Sequence, residues 1–321
     1  IINGNGHYIW QETFKKNFKD KALEYCTCDD LNRKEDFRTA ALRQTRNIQQ
    51  IVAELFGDFH GDLMQPQTDV TFNRENAILE PSFVCEQLGL QGRADLMTTD
   101  FKLLVEQKSG NNYNIQTHQP NEYGSFQKEE HYVQLLLYYG VLRQNFHVPS
   151  NKIDMRLLYS KYPLPGGLVV VNFYQKLFRE AISLRNRIVA HEYSFALNGF
   201  EGTTDMLSAD IINEKKLATP FYFKYIQPRL DAVINPLHNL SPLEKAYYER
   251  MMTFVYREQL AAKVGEQEGV GNSTADLWNM PLANKKEAGN IYTDLTITAK
   301  AKSKDINGFD IITLNRSEER R

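Results

Sequence analysis

Two short segments, Gly92-Arg93-Ala94-Asp95 and Leu104-Val105-Glu106-Gln107-Lys108-Ser109-Gly110, constrain this chain more than any other feature. Both are flanked by apolar residues, and Thr98-Thr99-Asp100 between them favours a turn, so the pair predicts a β-hairpin. An even loop centred on Asp100 and Phe101 sets Asp95 opposite Glu106 and Arg93 opposite Lys108. Side chains alternate between the faces of a strand, so all four share one face. Two carboxylates on neighbouring strands can share one hard divalent cation, Mg²⁺ or Mn²⁺, and a lysine two residues after the second points into the same volume. Such a cation polarises a phosphodiester and acidifies water, while an ammonium orients that water or offsets developing negative charge. The set therefore suits phosphodiester hydrolysis. The plain structural alternative is a solvated face on which Asp95 pairs with Arg93 or Lys108, in surface ion pairs worth about 0 to 1 kcal/mol.

Further along, His131-Tyr132-Val133-Gln134-Leu135-Leu136-Leu137-Tyr138-Tyr139 places a glutamine inside an apolar helical run, with Tyr138 one turn on along the same stripe. Ahead of the hairpin lie Ile78-Leu79-Glu80-Pro81 and Leu88-Gly89-Leu90-Gln91-Gly92. Asp95 followed by Glu106-Gln107-Lys108 on the next strand resembles the PD-(D/E)XK nuclease superfamily. Gln134-x-x-x-Tyr138 after the lysine is similar to its RecB-type branch, and the upstream segments complete the order found in the nuclease domain of DNA replication helicase/nucleases.

The resemblance implies an α/β, restriction-endonuclease-like fold over residues 1–240, with a central mixed sheet flanked by helices. It implies metal-dependent cleavage of single-stranded or flap DNA. Asp95 and Glu106 would hold Mg²⁺ or Mn²⁺ with help from the Gln107 carbonyl and from Glu80. Lys108 would position the attacking water, and Gln134 with Tyr138 would orient Lys108 or the substrate strand. In RecB-type nucleases an early helix commonly presents a metal-binding histidine, whereas Arg46-Asn47-Ile48-Gln49-Gln50-Ile51 has none. Gln49 or Gln50 stands in the corresponding place, and an amide is a weaker, uncharged ligand. That departure bears on a second metal ion more than on the nuclease itself.

A net charge of -2 gives no global attraction for nucleic acid, so a DNA site must be a local basic groove. No apolar run reaches the roughly 18 residues a membrane span needs, and the first residues lack the regions of a signal peptide, so a cytoplasmic location is expected. The chain has only three cysteines, Cys26, Cys28 and Cys85. An iron-sulfur cluster wants four thiolates, so none is expected, and the count also argues against a disulfide framework.

Periodicity predicts helix over Tyr8–Tyr25 and Asp36–Phe56, strand over Asp69–Phe72 and Ala77–Cys85, and a loop from Gly110 to Gln127. The loop aromatics Tyr113, His118, Tyr123 and Phe126 would either stack on unpaired bases or pin the loop. Strands are expected over Ile153–Tyr159 and Gly166–Asn172, then a long helix over Phe173–Ala196. A further helix over Pro242–Val264 is announced by the capping box of Ser241 and Glu244. Residues 241–321, with strands over Ala288–Thr298 and Gly308–Leu314, resemble the helical stalk and the start of the small β-barrel that join nuclease to motor in the helicase/nuclease family. A helicase motor is thus expected on the same longer polypeptide. No Gly-x-x-x-x-Gly-Lys-Ser/Thr loop exists in this stretch, so it should not hydrolyse ATP itself. The rival functional reading is a catalytically silent module that grips DNA within a larger complex.

Overall fold

The computed structural model describes residues 1–2, 8–28, 36–57, 72–112, 127–149, 152–264, 280–302 and 310–316. Two compact units divide the chain: residues 1–182 with 302–311, and residues 183–301 with 312–321. The expected strand at Asp69–Phe72, apart from Phe72, and the loop aromatics from Tyr113 to Phe126 lie outside the described residues.

The first unit opens with α1 (Ile9–Asp20) and α2 (Ala22–Thr27). The stripe expected as one helix breaks at Lys21, whose backbone (φ -130°, ψ 35°) leaves helical geometry. Trp10, Phe14, Phe18 and Tyr25 form a ladder of ring contacts at 5.5 to 6.0 Å. Helix α3 (Asp36–Phe56) follows, then strand β1 (Ala77–Leu79), and the strand expected over Ala77–Cys85 is cut after it. Glu80 adopts φ 50°, and Pro81 has no amide to continue a ladder, so the chain turns into a separate strand β2 (Ser82–Cys85). Strand β3 (Leu90–Arg93) pairs antiparallel with β2, and after a step at Ala94 and Asp95 the chain forms β4 (Leu96–Thr98) and β5 (Leu103–Lys108). Helix α4 (Glu129–Phe146) carries Glu129 and Glu130 in its first turn, where carboxylates complement the helix dipole. It leads to β6 (Asp154–Tyr159) and β7 (Leu168–Val171).

The five-stranded sheet has the order β1-β4-β5-β6-β7, with β5 and β6 parallel and the other pairs antiparallel. It is a mixed sheet flanked by helices. Strand alternation divides the core in two. Leu96, Leu103, Val105 and Leu158 meet Ile51, Val52, Leu55 and Phe56 of α3 on one face. Met97, Leu104, Met155, Leu157 and Tyr159 meet Tyr132, Leu135, Leu136 and Tyr139 of α4 on the other. Asp95, Glu106 and Lys108 have the parity of Met97 and Leu104, so all three belong to the α4 face.

The long helix α5 (Gln175–Asn198) begins in the first unit and runs into the second. There follow α6 (Thr203–Met206), α7 (Ala209–Ile212), a π-helical turn (Tyr222–Ile226), α8 (Gln227–His238), α9 (Pro242–Val264) and α10 (Leu282–Glu287). The capping box closes as expected, the Ser241 amide donating to Glu244 Oε2 at 2.8 Å. Buried Glu249 of α9 accepts from the Gly202 amide at 2.9 Å and the Thr204 hydroxyl at 3.1 Å, tying α9 to the turn before α6. Strands β8 (Leu295–Lys302) and β9 (Asp310–Arg316) form a two-stranded ribbon. Among the described residues there is no closed barrel, since two strands alone leave both edges open.

Candidate metal centre

The β4–β5 ladder pairs Leu96 with Val105 and Met97 with Leu104, and one further step sets Asp95 opposite Glu106. This is the register read from the sequence. Arg93 is different. It does not lie across from Lys108, because the amide of Ala94 bonds the Pro81 carbonyl and carries β3 away to pair with β2, with Arg93 opposite Ser82. The Arg93 guanidinium instead meets the Glu80 carboxylate at 3.2 Å. Glu80 still touches the site through its backbone, its amide donating to the Asp95 carbonyl at 3.0 Å.

Gln107 turns its backbone amide to Asp95 Oδ2 at 2.6 Å. A residue's amide and carbonyl point to the same side of an extended strand, so the Gln107 carbonyl faces the same gap. Glu106 is only 3% exposed. Its Oε1 accepts from Lys108 Nζ at 2.7 Å, while Oε2 is buried without a hydrogen-bond partner among the described residues. Burial pushes the Glu106 carboxyl above the ordinary glutamate range, the neighbouring Asp95 charge adds to that, and the Lys108 hydrogen bond offsets part of it.

Lys108 Nζ also donates to Gln134 Oε1 at 2.8 Å, and Gln134 Nε2 donates to the Tyr138 hydroxyl at 3.0 Å. An ammonium has three donors, so one is left for a water or substrate oxygen. The Tyr138 ring covers Gly92 so closely that a Cβ there would sit 2.5 Å from Cε1. This explains why the segment ahead of Asp95 carries a glycine. Gln134 and Tyr138 also wall a cavity of about 190 Å³, completed by Phe83, Leu90, Gln91, Gly92, Leu137 and Val141.

Four groups at this end of the sheet were not singled out by the sequence reading. Gln44 and Asn47 of α3 reach the carboxyl end of β6. Asn47 Nδ2 donates to the Ser160 carbonyl at 2.8 Å, and the Ser160 hydroxyl donates to Gln44 Oε1 at 2.7 Å. The Ser160 amide bonds the Lys108 carbonyl at 2.9 Å, so α3 braces the strand end that carries the lysine. Asn47 is buried and Gln50 exposed, the difference being which helical position faces the sheet. His131, one turn before Gln134 on α4, lies with Nδ1 3.1 Å from the Tyr159 hydroxyl. Its spacing of three from Gln134 was a legible signal, since i and i+3 share a helix face.

An orphaned, buried carboxylate oxygen beside a second carboxylate is a site that a cation would satisfy, and the donor set of carboxylates with a backbone carbonyl is that of Mg²⁺ or Mn²⁺. The residues present fit such an ion. Among the described residues no group of three or more His, Cys, Asp or Glu side chains converges, so Glu80 does not join Asp95 and Glu106 in one cluster. No protein-family model, curated protein or solved structure matches the chain.

Proposed function

We propose that the first unit is a divalent-metal-dependent nuclease that hydrolyses phosphodiester bonds in single-stranded or flap DNA, with a restriction-endonuclease-like sheet of the RecB type. The observation that carries this reading is the Glu106 side chain, which shares one oxygen with Lys108 and leaves the other buried and unpartnered next to Asp95. Asp95 and Glu106, with the Gln107 carbonyl, would hold Mg²⁺ or Mn²⁺. When bound, the ion supplies positive charge against the phosphodiester and acidifies nearby water.

The chain's own residues do the rest. Lys108 holds a water with its remaining donor and offsets negative charge that develops at the phosphate. Gln134 fixes the ammonium, Tyr138 fixes Gln134, and Gly92 admits the Tyr138 ring. Glu80 acts through its backbone on Asp95 and through its carboxylate on Arg93. The second unit then serves as a stalk towards a helicase motor on the same polypeptide, as the family resemblance implies.

The test is incubation with labelled single-stranded, duplex and flap DNA, with and without Mn²⁺, alongside Glu106→Gln. Cleavage of a single-stranded or flap substrate that needs Mn²⁺ and is lost in the variant is expected. Binding of DNA without cleavage by the wild type at saturating Mn²⁺ would favour the silent gripping module, a reading supported by the absence of a third ligating side chain among the described residues.

A further inference from the structure

The nuclease reading leaves one polar group at the site without a task. His131 lies on the α4 face that carries Gln134, three residues earlier, so its imidazole flanks the Gln134–Lys108 contact. Lys108 and Tyr159 are paired directly across β5 and β6, and Tyr159 is the residue that His131 touches. The imidazole is therefore anchored at the same strand end as the lysine.

Its tautomer follows from what surrounds Tyr159. The phenol is fully buried, and burial raises its pKa, so it keeps its proton. A buried phenol that keeps its proton needs an acceptor for it, and among the described residues His131 Nδ1, 3.1 Å away, is the one within hydrogen-bond distance. A neutral imidazole that accepts at Nδ1 carries its proton on Nε2. Desolvation lowers the His131 pKa, the Glu130 charge offsets part of this, and the Lys108 and Lys128 charges lower it again, so the ring is neutral at and above neutral pH. Among the described residues Nε2 has no hydrogen-bond partner, and the residue is half-buried rather than enclosed.

We propose that His131, locked by Tyr159, uses its Nε2 proton to hold a backbone phosphate of the bound DNA strand beside the metal centre. The proposal rests on the nuclease reading and assigns the site a substrate-gripping residue separate from its metal ligands. A neutral donor at that place grips a phosphate without competing with Lys108 for the carboxylates, and it contributes at substrate binding rather than in the chemical step.

The experiment measures single-stranded DNA affinity in Ca²⁺, cleavage kinetics in Mn²⁺, and Mn²⁺ affinity by calorimetry, for wild type, His131→Ala, His131→Gln and Tyr159→Phe. His131→Ala should weaken DNA binding and raise KM about tenfold, on the scale of one hydrogen bond to a charged group, with kcat and Mn²⁺ affinity within about twofold of wild type. His131→Gln keeps a donor at similar reach and should recover most of the loss. Tyr159→Phe frees the tautomer and should show a smaller loss of the same kind. The inference is overturned if an active wild type and His131→Ala bind DNA equally well, or if His131→Ala loses Mn²⁺ affinity, which would make the imidazole a ligand. A wild type that neither binds nor cuts DNA would remove the nuclease reading and this inference with it.

Discussion

Asp95 Oδ2 accepts the backbone amide of Gln107 at 2.6 Å, so the acid ahead of β4 is tied to the middle of the Glu106-Gln107-Lys108 run rather than to a cation of the protein. The bond fixes Asp95, whose carboxylate also acts on Glu106 and helps to raise that neighbour's pKa. Glu106 is divided, with Oε1 engaged and Oε2 not. Each acid is thus held by one oxygen, and at Glu106 the other is left open among the described residues.

Mn²⁺ should raise the thermal stability of the first unit. An ion at about 100 times its dissociation constant adds about 2.7 kcal/mol to a state that alone binds it. Glu106→Gln should remove that gain and DNA cleavage together, yet leave apo stability unchanged or slightly higher, because it deletes a buried charge whose pKa is already raised. Scanning calorimetry with and without Mn²⁺ checks both halves. An apo variant melting far below the wild type would show that Glu106 is chiefly an ion-pair partner.

Lys108→Ala should behave differently. The lysine is not a ligand, so Mn²⁺ binding persists or tightens, while cleavage falls about 10² to 10³-fold, the scale of losing one electrostatic group at a reacting centre. Without metal the variant should be less stable by about 1 to 3 kcal/mol, since Glu106 then has a buried carboxylate with no donor. Mn²⁺ should restore much of this loss. Wild-type cleavage rates in Lys108→Ala at saturating Mn²⁺ would remove the mechanism.

The pH dependence follows from the direction of the Glu106 shift. Its folded pKa lies above the ordinary glutamate value of 4.5, so the group's favourable contribution to stability is present below that value and is lost as pH rises through the folded pKa. Mn²⁺ competes with the same proton, so metal affinity should fall as pH drops through the raised pKa. Titrations of Mn²⁺ affinity from neutral pH downward should show this, and Glu106→Gln should flatten the dependence of apo stability on pH over that window.

Gly92→Ala should injure the site from the neighbouring ribbon. A Cβ 2.5 Å from the Tyr138 ring forces that ring to move, and with it the hydroxyl that accepts from Gln134. Overpacking of this kind costs about 1 to 3 kcal/mol. Cleavage should drop with little change in Mn²⁺ affinity, and adding Tyr138→Ala should cost less than the sum of the two single changes. Full additivity in that double-mutant cycle would mean that the two residues do not act through one contact.

Asn47→Ala should lower stability by about 1 to 3 kcal/mol by leaving the Ser160 carbonyl without its buried donor. Mn²⁺ affinity should not change. A loss of Mn²⁺ affinity in isothermal calorimetry would instead make α3 a ligand-bearing helix despite its lack of histidine.

Much of the candidate site was legible in the sequence, because it depends on short-range rules. The period of two places Asp95, Glu106 and Lys108 on one face, and the period of 3.6 puts Gln134 and Tyr138 on one stripe. What was not legible depends on where the chain leaves those rules. Arg93 obeys the same alternation as Asp95, yet the step at Ala94 sends it to a different sheet, and only the bonds from Ala94 to Pro81 and from Glu80 to Asp95 reveal that step. The resemblance assigns Glu80 to the site, but its backbone is left-handed and its carboxylate meets Arg93. Gln49 and Gln50 lie two and three positions beyond the buried Asn47, and Gln50 is exposed, a matter of helical phase that no local propensity settles. The sequence reading does not include the helices Thr203–Met206, Ala209–Ile212 and Gln227–His238; the first two are single turns, too short to show a helical period.

The parallel pairing of β5 with β6 has a kinetic consequence. Leu103 meets Asp154, so this ladder cannot form until some fifty residues, α4 among them, have been looped back across the sheet. The β4–β5 hairpin closes over a handful of residues and can form early, which brings Asp95 and Glu106 together before Gln134 and Tyr159 are in place. During synthesis the acidic pair would therefore exist for a time without its crossover. Non-local pairing of this kind is slow, and a cation held by the nascent hairpin would favour the register that the finished sheet requires.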